Sequence, residues 1–488
     1  MVHSRGKRDD VTARTSQPST SGPPGWVRVV DLVCLLVACV AIIVAMSGGF
    51  RVRLGDWRIA LTSPYRLLVW AVILSVIRHV VAPAAPIYRD VPRRVSGWWR
   101  TPGMSSAALV VAGTCPAILF VGYLAVVMFG YGGGRAPVRS SDSEILNLPH
   151  RWDAGWYLQI VTDGYSYEPD QPNLQQNIVF FPAYPLLMRG VGRLLGGTPA
   201  SFMLAGMLVS LAAFVGALTY LYGFARDHLD DDHAVAAQWL LATYPFALFY
   251  GAIYVESLFL LGIVGCFYHF TRRQYWRAAA WGILVGLTKA NGFELSVPLG
   301  VLAVSPWLPR WLSGGASAPS RHDLRKASIV VITPCIGVAI FSAFIWRLTG
   351  HPLAWLEGHA AWGRTYQGLT TLVTDRYDII AHAGLTTYVS SLPYDLLNGL
   401  GVIFVLAAAW PVARRLGLAY AIFILAMILP PLSTGGLMSA GRFSSVLFPA
   451  FVWLAGAVPR PCRAGWFVTF AALQAFNAAL FYTWHPLY

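Results

Sequence analysis

Long apolar runs recur along this chain, most of them about twenty residues long, with only short polar stretches between them. A helix needs roughly 20 apolar residues to cross the hydrocarbon core of a bilayer. Inside that core every backbone polar group must find its partner within the segment or within a closed barrel. Barrel strands would read as short alternating segments, and these runs are continuous. The expected fold is therefore all-α, a polytopic transmembrane helical bundle. Spans are expected near 29–47, 64–83, 105–130, 200–224, 234–253, 257–270, 278–290, 292–307, 327–348, 399–413, 416–431, 443–458 and 465–482. Of the four between 234 and 307, two are short and divided by polar residues, a pattern common where helices bend around a site.

Charge supports this class. Only 12% of the 488 residues are charged, about half the share that a soluble surface requires. The net charge of +14 excludes nothing by sign, but in such a chain it belongs to cytoplasmic loops facing anionic lipid, and no nucleic-acid partner is expected. With the N-terminus cytoplasmic, the inner loops hold Arg89, Arg93, Arg94, Arg100, Arg272, Arg273, Arg277, Arg310, Arg321, Arg325, Lys326, Arg414, Arg415, Arg460 and Arg463. The acidic stretch 226–233 (RDHLDDDH) and the outer Arg51, Arg53 and Arg58 run against the bias without reversing it. The six cysteines have no paired spacing and read as small hydrophobes.

This orientation divides the chain into a basic tail (1–28), N-terminal spans (29–130), a first long outer loop (131–199), central spans (200–348), a second outer loop (349–398) and C-terminal spans (399–488). Both loops are longer than a connection needs and rich in Trp, Tyr, Phe and His, which argues against disorder. The densest stretch is HRWDAGWY (150–157), followed by Asp163-Gly-Tyr165, Glu168 and NIVFFPAYP (177–185). Asp153 stands between Trp152 and Trp156. A carboxylate in such a setting is partly desolvated and is a stronger proton acceptor for it; the bland alternative is a structural carboxylate holding Arg151. If 154–161 is helical, Trp156, Tyr157, Ile160 and Val161 share one side.

The pattern H-x-W-D-x-x-W/Y-Y, a GY pair and N-x-x-F-F-P-x-Y-P resembles the PIG-V group of mannosyltransferases, within the GT-C superfamily of integral membrane glycosyltransferases. The resemblance continues at YVES (254–257), KANG (289–292), Gly441-Arg-Phe443 and Phe448-Pro449, and covers roughly 145–455. It implies transfer of a sugar, mannose first, from a polyprenyl-phosphate donor to a glycolipid, glycan or protein acceptor of the cell envelope. It implies a multi-pass protein of the cell membrane with its active site on the extracytoplasmic face, and Asp153 as catalytic base. A β-linked donor would be displaced in line, giving an α-linkage without a covalent intermediate.

A phosphate leaving group needs cations, not a proton. Candidates are Arg442, first because arginine grips phosphate oxygens bidentately, then Lys289, Arg364 and Arg189. Candidate substrate contacts are His150, Trp152, Trp156, Tyr157, Asn177, Tyr184, Tyr254, Glu256 and His359. Glu256 could equally be an ion-pair partner of Lys289 or an arginine, and the aromatics of 177–185 could simply pack the loop. His150, His351, His359 and His382 are scattered, and the first loop has no paired acids, so no metal and no cofactor is expected. A GT-C enzyme using arabinose, glucose or galactose on the same carrier, a lipid or solute transporter, and a non-catalytic assembly subunit are the competing readings; a transporter would show internal repeats and mid-span polar residues.

Overall fold

The computed structural model describes residues 25–47, 50–54, 57–61, 63–82, 101–132, 139, 143–171, 173–305, 321–485 and 487. The basic tail up to residue 24 and Arg89, Arg93, Arg94, Arg100 and Arg310 lie outside them. The chain opens with helix α1 (Gly25–Ser47), an antiparallel ribbon of β1 (Phe50–Leu54) and β2 (Trp57–Leu61), and α2 (Pro64–Val81). The ribbon pairs Phe50 with Leu61 and Arg53 with Arg58, a small departure from an all-helical fold. Its cause is local: FRVRL alternates apolar and basic residues at the period of a strand, and WRIAL repeats large apolar residues at every second position, between two helices.

Next come α3 (Pro102–Phe129), α4 (Ala154–Thr162), α5 (Ala183–Leu194), α6 (Pro199–Ala225), α7 (Asp231–Thr243), α8 (Glu256–Thr271) and α9 (Tyr275–Thr288). The second half holds α10 (Ser296–Val304), α11 (Arg321–Thr349), α12 (Leu369–Ala383), α13 (Pro393–Arg415), α14 (Leu418–Leu432), α15 (Ala440–Ser445), α16 (Phe448–Ala457) and α17 (Arg463–Tyr482). Six of these, α1, α3, α6, α11, α13 and α17, are long and apolar enough to cross a membrane. Shorter apolar helices lie at α8, Ala290–Val304, α14 and α16. The chain is a multi-pass helical membrane protein.

Local chemistry sets the helix ends. Proline opens α3, α6 and α13, where its missing N–H costs nothing. Thr198 and Asp230 cap α6 and α7 by accepting from Ser201 N (3.2 Å) and His233 N (2.9 Å). The acidic run that opposed the charge bias therefore has a structural role. Asp231 and Asp232 complement the α7 dipole and pair with Arg226 (2.7 Å) and Arg463 (2.6 Å). Helices α9 and α11 approach backbone to backbone: a Cβ on Gly286 would lie 2.0 Å from the Pro334 carbonyl oxygen.

Three expected spans are broken. The run 234–253 stops at Tyr244-Pro245 and continues as a 3-10 turn, Ala247–Gly251. The run 292–307 begins with a 3-10 turn at Ala290–Leu295 before α10. The run 443–458 divides into α15 and α16. Each break frees backbone and polar side chains at the same end of the bundle core.

Candidate active site

The three breaks and the HRWD turn meet. Asp153 sits at the head of α4, one residue after Trp152, whose φ of +53° is rare for a bulky side chain. Such strain survives only where surroundings impose it, and here they do. The buried Arg151 guanidinium donates to the carbonyls of Tyr482 (2.9 Å) and Asn147 (2.7 Å) and to Glu144 (3.1 Å). The Trp152 indole donates to the Phe481 carbonyl (3.2 Å). The end of α17 thus clamps the turn, and the Asp153 N–H donates to the Tyr254 hydroxyl (3.2 Å).

Opposite Asp153 stands Arg442 of α15. Its Nη1 lies 2.7 Å from Asp153 Oδ2 and its Nε 3.4 Å from Glu256 Oε1. Lys289 Nζ reaches the same Glu256 oxygen at 3.1 Å. Burial disfavours the Arg442 charge, yet Glu256 and then Asp153 hold its pKa above the ordinary guanidinium value. Arg364 completes the group: it donates to the Met438 carbonyl (2.7 Å), and the Phe443 ring has Arg364 (5.6 Å) and Lys289 (4.2 Å) against it. Burial, then repulsion from Arg442, lower the Arg364 pKa to about 10, with Asp153 opposing. Three cations therefore share two carboxylates in a largely buried site, leaving an excess positive charge.

Arg442 is placed by the backbone around it. Ser439 adopts a left-handed φ of +60° just before α15, and the Gly441 N–H donates to Asn398 Oδ1 (2.7 Å). A Cβ at Gly441 would lie 2.1 Å from the Phe246 ring. Ser445 Oγ donates to the Arg442 carbonyl (2.7 Å). Asn398, Ser439, Glu144 and the C-terminal end of α17 were missed from the sequence; an Asn on an apolar helix is the one signal that pointed to any of them.

The two long loops join above this group. Trp156 and Phe180 of the first meet Trp362 of the second at ring separations of 5.4 and 5.5 Å. Trp355 packs on Phe181 (5.1 Å), and His359 Nδ1 donates to the Trp355 carbonyl (2.7 Å). Burial first, and Arg364 after it, depress the His359 pKa; burial and then Arg151 do the same for His150, beside the clamp.

Not every candidate faces the ion-pair group. Asn177 is buried and ties the loop to itself, accepting from Ser166 N (3.1 Å) and donating to Gly164 O (3.1 Å). Tyr184 is fully buried and hydrogen-bonds Gly206 O (3.0 Å) and Ser210 (2.9 Å) of α6. Tyr157 packs between Phe180, Tyr184 and Tyr254. Arg189 lies on α5, and no contact among the described residues joins it to Asp153, Glu256 or Arg442. Its place is with Arg193, outside the cluster.

Beside Leu148 and Pro149, at the approach to the turn, a cavity of about 720 Å³ opens between α3 and α6, lined mainly by apolar side chains such as Leu119, Phe120, Met203 and Met207. Among the described residues the grouping of acids and histidine close enough to share an ion is Asp230, Asp232 and His233. It lies at the far end of α7 from Tyr254, with Arg460 and Arg463 on its carboxylates.

Residues 136–304 match the family model described as Mannosyltransferase (PIG-V), which bears out over that stretch the resemblance read from the motifs. The match takes in Asp153, Asn177, Tyr184, Tyr254, Glu256 and Lys289; Arg364 and Arg442 lie beyond it. No curated protein matches the chain. Among solved structures, the chain is similar to the archaeal oligosaccharyltransferase AglB from Archaeoglobus fulgidus in complex with an inhibitory peptide and a dolichol-phosphate, at 13% identity and TM-score 0.35 over 77% of this chain and 56% of that one. It is also similar to the Archaeoglobus fulgidus oligosaccharyltransferase tethered with an acceptor peptide containing the NVT sequon via a disulfide bond, at 12% identity and TM-score 0.37 over 80% and 56%. The chain spans little more than half the length of these proteins.

Proposed function

We propose that this protein is a glycosyltransferase, a mannosyltransferase first of all, that moves a sugar from a polyprenyl-phosphate donor to a glycolipid, glycan or protein acceptor on the extracytoplasmic face of the cell membrane. The observation that carries this reading is the cluster of Asp153, Arg442, Glu256 and Lys289. It brings together Asp153, Glu256 and Lys289, from three motifs inside the stretch that matches a mannosyltransferase family model, with Arg442 from beyond that stretch.

The chemistry follows from the charges. The acceptor hydroxyl oxygen attacks the anomeric carbon, its proton passes to an Asp153 carboxylate oxygen, and the carbon–oxygen bond to phosphate breaks with its electron pair on the phosphate. The leaving phosphate needs positive charge fixed in advance in a site of low dielectric, and Arg442, Lys289 and Arg364 hold it there. In this arrangement the Arg442 guanidinium occupies an Asp153 carboxylate oxygen at 2.7 Å. Donor phosphate competes with Asp153 for Arg442, so donor binding itself releases the base. Attack in line with the departing phosphate inverts a β-linked donor to an α-product. The apolar cavity between α3 and α6 suits an isoprenoid chain running into the bilayer beside the HRWD turn.

With these cations meeting the phosphate, no metal is required. The arginine-rich loops support an N-terminus on the cytoplasmic side and both long loops outside. The test is an assay of purified protein with radiolabelled polyprenyl-phosphate mannose, and its arabinose, glucose and galactose counterparts, with membrane lipid acceptors and EDTA present. Transfer from one such donor, lost in Asp153→Asn with donor binding intact, is the expected result. Full activity of that variant removes Asp153 as base, use of a nucleotide sugar removes the donor class, and inactivation by EDTA removes metal independence.

A further inference from the structure

The 3-10 turn Ala290–Leu295 holds a buried polar pair that the chemistry above leaves unused. Glu294 is 8% exposed in an apolar setting. Its Oε2 is buried without a hydrogen-bond partner, as is Oδ1 of Asn291. The Asn291 amide reaches the Glu294 carboxyl group and the sulfur of Met427 on α14 (3.5 Å). The turn is rigidly seated: a Cβ at Gly292 would lie 2.4 Å from the Val285 carbonyl oxygen. Buried polar atoms without partners are costly, and an ionisable residue at membrane depth marks function by default.

The place of the pair says what donors it takes. Lys289 opens the turn, reaches Glu256 at 3.1 Å and lies 4.2 Å from the ring of Phe443, the residue after Arg442. Ala290 packs against the cluster of Ile178, Phe181 and Trp355, where the two long loops join. Lys289 also acts on the Glu294 carboxyl, so the pair lies beside one of the cations that would hold the donor phosphate. One bond separates that phosphate from the sugar ring. A buried carboxyl group and an amide oxygen suit the hydroxyls of a sugar, which both donate and accept, and a hydrocarbon chain would leave both unpaired.

We propose that Asn291 and Glu294 form a hydroxyl-recognition subsite that reads adjacent hydroxyls of the transferred sugar. This rests on the glycosyltransferase reading above. The subsite selects the donor sugar, while Arg442 and Lys289 bind its phosphate.

The test uses the full-length protein in detergent, the short-chain polyprenyl-phosphate donor that the wild type accepts, and its monodeoxy analogues. Removing a recognised hydroxyl strands a buried acceptor, so one or two of the analogues lose at least about tenfold in kcat/KM with the wild type. In Glu294→Met that discrimination ratio falls toward one, and in Glu294→Gln, which keeps one oxygen, it falls partway. Asn291→Ala relaxes the neighbouring position, and binding of sugar-free polyprenyl phosphate is unchanged throughout. A merely structural role would lower all donors together and leave the ratios alone. Wild-type ratios in Glu294→Gln and Asn291→Ala overturn the subsite while leaving the transferase reading intact. Failure of the wild type to use any such donor overturns that reading, and the subsite with it.

Discussion

Asp153 Oδ2 and Arg442 Nη1 lie 2.7 Å apart, joined across 289 positions of sequence, and the same guanidinium turns its Nε toward Glu256 at 3.4 Å. One arginine thus holds the candidate base and a buried acid together. Whatever draws the guanidinium away changes the state of both.

For that reason Asp153→Asn and Arg442→Ala should fail differently. Loss of a general base costs about 10²–10⁴ in rate, so Asp153→Asn should keep donor affinity and lose turnover. Arg442→Ala should lose donor affinity as well, and Arg442→Lys should recover only part, since an ammonium cannot bridge phosphate in two places. Equilibrium binding of a polyprenyl phosphate beside a single-turnover rate separates the two. Equal donor affinity in wild type and Arg442→Ala would remove the phosphate role.

Glu256 is fully buried between Lys289 and Arg442. Glu256→Gln leaves two buried cations sharing Asp153 alone, and breaking such a pair costs about 3–5 kcal/mol. The variant should unfold well below the wild type on thermal denaturation in detergent. The double variant Glu256→Gln with Lys289→Met should regain part of the loss without regaining activity; equal stability of single and double variants would argue against coupling.

Gly441→Ala tests how tightly Arg442 is placed. The new methyl would meet the Phe246 ring at 2.1 Å, which forces α15 to move. Activity should fall at least about a hundredfold, as a misplacement near 1 Å can do. Phe246→Leu in the same chain should restore part of it. An unimpaired Gly441→Ala would show that the α15 turn is not rigidly seated.

His359 is held neutral by burial and by Arg364, with a pKa depressed from the usual value. In the unfolded chain the same group protonates near pH 6.5. As pH falls below that value the unfolded state takes up a proton that the folded state refuses, so stability declines down to the depressed folded pKa. The melting temperature should therefore drop between pH 7.5 and 5.5. It should drop less in His359→Asn, whose amide can still donate to Trp355 O. An unchanged slope would place the acid sensitivity elsewhere, with His150 next.

Much of this was legible beforehand, and its limits are physical. Apolar runs predict α3, α6, α8 and α17 to within about three residues at either end, because a span must be apolar over a length that the bilayer sets. The same logic misreads 234–253, 292–307 and 443–458 as single spans: a break buried inside the bundle can be as apolar as the helix it interrupts. Glu256, Lys289 and Arg442 stood out as charges at the ends of apolar runs, and Asp153 as a carboxylate between two tryptophans of the first outer loop. Asn177, Tyr184 and Tyr157 stood out equally by motif, yet their polar atoms are spent on loop and α6 backbone or packed away. An aromatic that packs a loop and one that meets a ligand look the same in sequence.

By itself the sequence determined the class and the chemistry on offer: a helical membrane protein with a carboxylate between tryptophans and a few arginines near span ends. Those follow from composition and spacing, which are properties of segments. That Arg442 faces Asp153 and Glu256, that α17 clamps Arg151, and that Arg189 stands apart were decided by the tertiary structure. Pairing of distant charges depends on where broken helices turn and which backbones touch, at Gly441 against Phe246 and Gly286 against Pro334. Nothing in the spacing along the chain encodes such contacts.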